Sequence, residues 1–413
     1  HTGVQQNYSL SLRGGTDKQQ SYMSIGYQQE KGLYKNDKLD QITFRAGTTY
    51  KLNKILSVGF QSNLSYRNKD SRNSRLSKTL NQIPLGDVYD ENGKLNNNPI
   101  SDMPNYINIL ADDSQTAYQN NSKNTSINIA PFVQITPFKG FNFKSLFNAT
   151  LSNSRKGLWD GLDTYMKLSG SQDNKRSAQY DSAFGYSYQW QNVATYNFKI
   201  KKDHDITLTG IVEYTNNRNE GASAQNEQFE YDDFLWYNMS AGLKAYTSSY
   251  YKETAKMSYA GRVNYNYLGR YLLSASIRWD GASQLYNKWS SFPAVSAGWR
   301  ISDEPFMKAT KGWLDNLKLR VGYGVSGNAN ISPYVSLTSV TNSSNLLNLG
   351  QGQVQSYILS RNVANHDLTW EKSYNWNVGL DFAVLKDRID GSVEWYSTDT
   401  KGVLYNRPLP TSL

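Results

Sequence analysis

Hydrophobic and polar residues alternate along most of this chain. Tyr8, Leu10 and Leu12 are separated by Ser9 and Ser11, and the pattern recurs in segments that begin near Met23, Ile42, Leu56, Ile127, Phe141, Phe184, Ile206, Tyr259, Leu273, Phe292, Leu317, Tyr374 and Ile389. Successive side chains of a strand point to opposite faces, so these segments predict strands with one apolar and one polar face. About fourteen strands are predicted, mostly on the order of 9 to 16 residues long.

The connections between the predicted strands alternate in length. The short ones are residues 14–18, 51–54, 137–140, 201–205, 268–270 and 386–388. The others are long and polar, at residues 68–123, 153–183, 215–256 and 328–369, with shorter ones near 30–38 and 280–290. Residues 301–315 are longer than the other connections at the short-turn end, and they are predicted to form a short amphipathic helical turn. Tight turns at one end and long loops at the other are typical of outer-membrane β-barrels.

Composition supports this interpretation. Hydrophobic residues make up 38% of the 413 positions, mean hydropathy is −0.67, and no stretch approaches the roughly 18 apolar residues of a spanning helix. The chain nevertheless holds 31 Tyr, 14 Phe and 10 Trp, which suits aromatic girdles around an apolar exterior and a wet interior. The inward polar residues could not fill a dry core, because each unpaired buried polar group costs about 1–3 kcal/mol. The predicted fold class is therefore an all-β, transmembrane, antiparallel up-and-down β-barrel.

The formal net charge of +9 suggests anionic partners, either nucleic acid or lipid phosphate. Each short turn contains Lys or Arg, which can reach lipid phosphates from the barrel rim, or which can simply reflect the polar character of turns. Basic residues lie at turns and do not cluster on one face, so no nucleic-acid partner is predicted. Cysteine is absent, which removes thiol catalysis and thiol metal sites.

The chain contains no convincing catalytic motif. His1, His204 and His366 are its only histidines, and no metalloprotease motif, nucleophile elbow or phosphate loop occurs. The acidic residues before Asn92-Gly93 lack the spacing of an EF-hand and indicate a hairpin turn instead. The prediction is that the protein is not an enzyme and has no catalytic residues, metal site or cofactor.

Several segments carry a family resemblance. They are Arg278–Ser283 followed by Phe292–Ser302, Leu317–Asn328, and Asp367–Lys372 with Asn377–Phe382 and Arg388-Ile389. Together they resemble the SusC/RagA-type TonB-dependent outer-membrane transporters. The sequence departs from the family pattern at Ala282, Leu285 and Gly402, which are expected to be surface or loop changes.

The resemblance implies a barrel of roughly 22 strands, with an N-terminal plug domain and a TonB-contacting segment. Residues 1–413 are then expected to be part of a single TonB-dependent-receptor β-barrel domain, with no plug domain in this chain. The implied function is TonB-energised import of nutrient oligomers, glycan oligosaccharides or peptides, across the bacterial outer membrane. A passive porin or a surface adhesin is the alternative.

The resemblance also implies partners. These are a SusD-like surface lipoprotein that covers the outer loops as a lid, the TonB complex acting through the plug region, outer-membrane lipid, and the oligosaccharide or peptide substrate.

Substrate contact is predicted in the loop from 215 to 256, which is aromatic and acidic at its centre. Sugars bind by stacking on aromatic rings and by fixed hydrogen bonds, and this loop can supply both. The candidate substrate-binding residues are Tyr231, Asp232, Asp233, Trp236, Tyr237 and Tyr250. The alternative is that the loop packs on its neighbours or on the lid lipoprotein.

Overall fold

The computed structural model describes residues 2–72, 83, 85–100, 102–103, 106–114, 116–170, 173–337, 340–348, 353–359 and 364–405. Fourteen antiparallel strands form one sheet, as predicted, and each strand pairs with the next strand of that sheet along the chain. They are β1 (Val4–Gly15), β2 (Gln19–Lys31), β3 (Lys38–Lys51), β4 (Leu56–Asp70), β5 (Tyr118–Ile135), β6 (Phe141–Asp160), β7 (Ser177–Ile200), β8 (His204–Glu227), β9 (Lys244–Tyr267), β10 (Tyr271–Ala282), β11 (Trp289–Arg300), β12 (Leu314–Asn328), β15 (Glu371–Val384) and β16 (Ile389–Lys401). Within the described residues, β1 and β16 are the two edge strands.

Two further strands, β13 (Val340–Asn348) and β14 (Gln353–Leu359), form a separate hairpin inside the connection from β12 to β15. Helical structure in the described ranges is limited to α1 (Tyr165–Leu168) and four 3-10 turns. Those turns are Ala111–Asp113, Met239–Ala241, Ile301–Asp303 and Pro305–Thr310. No helix in the described part of the chain has the length and apolarity to span a membrane.

The pairing of neighbouring strands places apolar residues on one face of the sheet and polar residues on the other. One row of directly paired residues is apolar, and it runs through Leu10, Ile25, Phe44, Leu64, Ile127, Leu151 and Tyr186. The adjacent row is polar, and it runs through Ser11, Ser24, Arg45, Asn63, Asn128, Thr150 and Ser187. Directly paired residues point to the same side, so the sheet has a continuous apolar face and a continuous polar face.

The same division continues across the second half of the sheet. The apolar face carries Tyr196, Leu208, Val263, Ala275, Val295, Tyr323 and Trp376. The polar face carries Thr195, Thr209, Arg262, Ser276, Ala294, Gly324, Asn375 and Thr398. The predicted alternation therefore produces the predicted two-faced wall.

The connections alternate as expected, with corrections to their bounds. Tight turns join β1 to β2, β3 to β4, β5 to β6, β7 to β8, β9 to β10 and β15 to β16, and the 3-10 segment at 301–310 joins β11 to β12. The loops predicted at 153–183 and 215–256 were too long. Strands β7, β8 and β9 each extend over 24 residues, and only residues 161–176 and 228–243 remain as connections.

Buried hydrophobic clusters lie at the long-loop end of the sheet. One contains Trp159, Ala178, Phe229 and Trp236, and the other contains Ala282, Leu285, Phe292 and Trp370. A single-layered wall has no interior between layers, so its tightest packing occurs where loops fold back onto strands.

Candidate functional site

The loop at residues 228–243 is closed by the side chain of Asn226, at the end of β8. Its Nδ2 donates hydrogen bonds to the carbonyls of Met239, at 2.7 Å, and Gly242, at 3.0 Å. Its Oδ1 accepts the backbone N–H groups of Glu227 and Lys244 at 2.8 and 2.9 Å. One buried amide thus satisfies four backbone groups and fixes both ends of the loop.

Trp236 anchors the centre of this loop. Its side chain is 5% exposed, and its ring lies so close to Gly157 of β6 that a Cβ there would come within 2.3 Å of it. The Arg155 guanidinium lies 4.4 Å from the centroid of the ring, and Tyr180 stacks on it at 6.1 Å. The indole Nε1 is buried, and no residue in the described part of the chain forms a hydrogen bond with it. Only Gly157 lets the ring approach the strand this closely.

Asp232 and Asp233 have different environments. Asp232 forms a two-pronged ion pair with Arg176, with Nε–Oδ1 at 2.7 Å and Nη2–Oδ2 at 3.1 Å. This hydrogen-bonded pairing raises the pKa of Arg176 above its ordinary value. Asp233 is exposed and has no ion pair among the described residues. Asp232 therefore ties the loop to residues 161–176, while the carboxylate of Asp233 is free to meet a ligand.

The tyrosines of the loop present their rings to solvent. Tyr237 is 71% exposed and rests on Trp236 with ring centroids 3.9 Å apart. Tyr231 is also exposed, and its hydroxyl donates a hydrogen bond to Glu230 Oε1 at 3.1 Å. An exposed ring supported from below by a buried ring is suited to stacking against a ligand.

Tyr250 lies apart from this group. It belongs to β9 and pairs with Gly221, in the register of the polar face. Gly157 and Tyr180, on which Trp236 packs, pair with each other in the register of the apolar face. Five of the predicted residues therefore share one loop, while Tyr250 points to the opposite side of the wall. The substrate-binding role of all six remains a prediction.

A network on the polar face was missed by sequence reasoning. Glu213 of β8 accepts hydrogen bonds from Gln189 and Gln191 of β7 at 2.9 and 2.8 Å. Arg278 of β10 lies 3.4 Å from Glu213 and 2.8 Å from Asp280. Side chains thereby join β7, β8 and β10, and the contact between Glu213 and Arg278 reaches across the intervening strand β9. The sequence indicates that these residues lie on the polar face, because polar residues occupy every second position of the predicted strands. Which of them contact each other depends on the register of the strands, which the sequence does not reveal.

Charge and aromatic groups meet at one side of this network. Lys256 of β9 lies 3.7 Å from Asp280 and 5.7 Å from the ring centroid of Trp370. Trp370 packs in the second buried cluster, and its indole Nε1 donates to the Lys288 carbonyl at 2.7 Å. Ser258 is buried and paired in register with both Glu213 and Asp280, and its hydroxyl has no hydrogen-bond partner among the described residues. Charged groups of the polar face thus lie next to a buried tryptophan ring.

The histidines predicted to be non-catalytic have structural contacts. His204 Nδ1 lies 2.7 Å from the Tyr265 hydroxyl, and His366 stacks on Tyr286 at 4.6 Å. Within the described residues, no group of three or more His, Asp and Glu side chains is arranged to hold a metal ion. The hairpin turn predicted at Asn92-Gly93 is present: the Gly93 N–H donates to the Asp90 carbonyl at 2.9 Å, and Tyr89 and Leu95 form an antiparallel bridge.

An antiparallel meander with one apolar face, one polar face, tight turns at one end and long loops at the other is the wall of an outer-membrane β-barrel. The family model described as TonB dependent receptor-like, beta-barrel matches residues 59–413. The chain belongs to this family.

Curated relatives match nearly the whole chain. TonB-dependent receptor P3 of Formosa agariphila is 27% identical over 424 residues, which cover 99% of this chain and 41% of that protein. TonB-dependent receptor P39 of the same organism is 28% identical, covering 99% of this chain and 38% of that protein. TonB-dependent receptor SusC of Bacteroides thetaiotaomicron is 37% identical over 186 residues, which cover 44% of this chain and 18% of SusC. The chain spans about two fifths of the length of the first two relatives.

Solved structures agree on the fold. The RagAB peptide transporter superposes with a TM-score of 0.81 at 22% identity, over 98% of this chain and 45% of that chain. The ferripyoverdine receptor of Pseudomonas aeruginosa superposes with a TM-score of 0.56 at 12% identity, over all of this chain and 50% of that chain. The relatives and neighbours are transporters or receptors.

Proposed function

We propose that this chain forms the wall and outer loops of a TonB-energised importer of nutrient oligomers in the bacterial outer membrane. The observation that carries the proposal is the two-faced fourteen-stranded wall, matched along 98% of its length by the RagAB peptide transporter. The apolar face contacts lipid and the polar face lines a water-filled chamber, because only this arrangement solvates both faces.

Glycan oligosaccharides and peptides are the proposed cargo. The relative SusC and the structural neighbour RagAB, a peptide transporter, support this choice. The polar face supports it chemically, since Glu213, Arg278 and Asp280 carry charged hydrogen-bonding groups.

The six residues of the candidate site have two proposed roles. Tyr250 contacts the oligomer inside the chamber, because its register places it on the polar face. Tyr231, Asp232, Asp233, Trp236 and Tyr237 meet the oligomer or a SusD-like lipoprotein lid at the outer end of the wall. Within this group Trp236 and Asp232 support the loop, and the other three supply the exposed contacts.

Uptake by intact cells tests the function. The full-length gene is deleted from its host and restored on a plasmid, and the cells receive fluorescently labelled oligosaccharides and peptides. We expect uptake of at least one class to disappear on deletion, on loss of TonB and on collapse of the proton gradient. Uptake that survives gradient collapse would indicate a passive porin, and surface binding without uptake would indicate an adhesin.

Calorimetry on the full-length protein tests the site, with the oligomer identified by uptake as the ligand. Tyr250→Ala and Tyr237→Ala are each expected to weaken binding about 5- to 100-fold, taking as a guide the roughly 1–3 kcal/mol that stacking of one nucleobase on one aromatic ring contributes. Leu243→Ala is the matched control, because Leu243 is 84% exposed in the same loop and carries no ring. Unchanged affinity in a folded Tyr variant removes that residue from the site.

A further inference from the structure

Two arginines of the polar face lie apart from any acidic partner. Arg45 of β3 and Arg67 of β4 are both exposed, and neither forms an ion pair with a described residue. Arg45 Nε donates a hydrogen bond to the neutral Oδ1 of Asn63 at 3.4 Å. In contrast, Arg278 and Arg320 of the same face are each held by two carboxylates. The guanidinium groups of Arg45 and Arg67 therefore remain available to an anionic ligand.

The surface around these two arginines is polar and uncharged. Arg45 pairs with Asn63, and Arg67 lies four residues beyond Asn63 on the same strand, so the two arginine Cα atoms are about 14 Å apart. The row of Arg45, the row of Arg67 and the row between them otherwise contain only Ser, Thr, Asn, Gln and Gly from β1 to β6. Amides and hydroxyls offer hydrogen bonds to a ligand without adding charge. This part of the polar face therefore carries a net positive charge.

Lys69 adds a third positive charge beside Arg67. It is exposed, and it lies two residues further along β4 on the same face. The nearest carboxylate in its row is that of Glu30, two strands away beyond Leu39, and this carboxylate accepts a hydrogen bond from Gln28 Nε2 at 2.5 Å. No described residue forms an ion pair with Lys69. We call Arg45, Arg67 and Lys69 the basic patch.

We propose that the basic patch binds acidic oligosaccharides, which are sugar chains that carry carboxylate or sulfate groups. A guanidinium can donate two parallel hydrogen bonds to one anionic group. The amides and hydroxyls around it match the hydroxyls of a sugar, which both donate and accept hydrogen bonds. Positive charge along a water-filled passage also raises the local concentration of an anionic cargo. The inference rests on the proposed function, in which the polar face lines the chamber.

The surroundings of the basic patch favour a glycan over a peptide. Peptides are commonly recognised through pockets for their side chains or through the free edge of a sheet. From β1 to β6 the three rows contain no apolar side chain, and β3 and β4 are both paired on each side. Tyr250, which the register places on the polar face, lies in the same row as Arg67, five strands further along the wall. An aromatic ring and a basic group are thus both present on the surface that the sugar chain would follow.

Calorimetry on the full-length protein in a neutral detergent tests the inference. The ligands are oligogalacturonate and a sulfated galactan oligosaccharide, and each is compared with the same chain after methyl esterification or desulfation has removed its charge. Hexaglutamate serves as the acidic peptide. We expect at least one acidic glycan to bind about tenfold or more tightly than its uncharged counterpart. This advantage should shrink as the salt concentration rises, because salt screens exposed charges.

The test variant is Arg45→Gln with Arg67→Gln. One charge-assisted hydrogen bond contributes on the order of tenfold in affinity, so this variant should bind the acidic glycan about 100-fold more weakly and the uncharged glycan less than about 3-fold more weakly. Arg45→Lys with Arg67→Lys keeps the charge but loses the guanidinium fork, and it should bind the acidic glycan about 10-fold more weakly. The matched control, Lys54→Gln with Arg388→Gln, removes the same charge from two exposed tight turns and should leave both affinities unchanged.

Equal binding of every acidic glycan and its uncharged counterpart would overturn the inference, as would tighter binding of hexaglutamate than of either glycan. Equal losses in the test and control variants would also overturn it. The affinity for the uncharged glycan and the Lys variant separate loss of charge from loss of fold. None of these measurements requires uptake, so an importer that prefers uncharged glycans would contradict this inference alone. Binding of acidic glycans without any TonB-dependent uptake would contradict the import function alone.

Discussion

The contact between Gly157 and the Trp236 ring predicts a strong energetic coupling between β6 and the loop at 228–243. A Cβ on Gly157 would lie 2.3 Å from Cδ2 and 2.4 Å from Cε2 of Trp236, so Gly157→Ala must displace the indole. Such overpacking costs about 1–3 kcal/mol. Trp236→Ala removes the anchor of a buried cluster and costs about 3–5 kcal/mol. Once the ring is absent, Gly157→Ala should cost almost nothing, so the double variant is predicted to be no less stable than Trp236→Ala alone.

Native-state hydrogen exchange measures this coupling as a free energy of local opening. The reporting amides are those of Tyr237, bonded to the Phe234 carbonyl at 3.0 Å, and Leu243, bonded to the Glu227 carbonyl at 3.0 Å. Gly210→Ala is the matched control, since a Cβ at Gly210 meets nothing within 4 Å. An equal cost of Gly157→Ala with and without Trp236 would refute the proposed packing, as would an equal cost at Gly210.

Three further predictions concern ion pairs. Asp232→Asn should weaken the ion pair with Arg176 and speed exchange in the loop by about 10- to 100-fold, since a charge-assisted hydrogen bond contributes about 1.5–3 kcal/mol; unchanged exchange would contradict that role. Hydrogen bonds from Tyr271 and Trp299, aided by Arg270, lower the pKa of Glu304 below its ordinary 4.5. Its contribution to stability is therefore complete above that value and lost as the pH falls through the lower folded pKa; acid unfolding followed by fluorescence should show this step, and Glu304→Gln should abolish it. Arg278→Met leaves Glu213 and Asp280 without their shared cation, and we expect it to reduce oligomer uptake more than Arg13→Met at an exposed site; equal uptake would exclude the network from transport.

The strands could be predicted because alternation is a local property. Leu317, Leu319 and Val321 reveal a strand without any knowledge of its neighbours, and β12 spans them. The upper parts of β8 and β9 could not be recognised in this way. Residues 215–227 are polar on both faces, because this part of β8 extends beyond the apolar residues that would contact lipid. Only their backbone pairing with β9 identifies them as a strand.

The candidate site could be predicted only in outline. The aromatic and acidic character of residues 229–238 located a real cluster, but the burial of Trp236 depends on a glycine roughly eighty positions away in sequence. The assignment of Tyr250 to the same loop was wrong because the polar end of β9, like that of β8, was not recognised as part of a strand. Its position on the opposite face follows from the register of β9 with β8, which no local pattern reveals. The Glu213–Arg278–Asp280 network likewise needs the alignment of three strands.

The most direct test of the central claim asks which face of the wall meets lipid. The chain has no cysteine, so single cysteines can be placed at Leu208 and Val263 on the apolar face and at Thr209 and Arg262 on the polar face. Each is labelled with an environment-sensitive fluorophore in the full-length protein, reconstituted in bilayers that contain a spin-labelled lipid quencher. We predict strong quenching at Leu208 and Val263 and little at Thr209 and Arg262. Equal quenching on both faces, or the reverse pattern, would contradict the claim that the apolar face contacts the membrane.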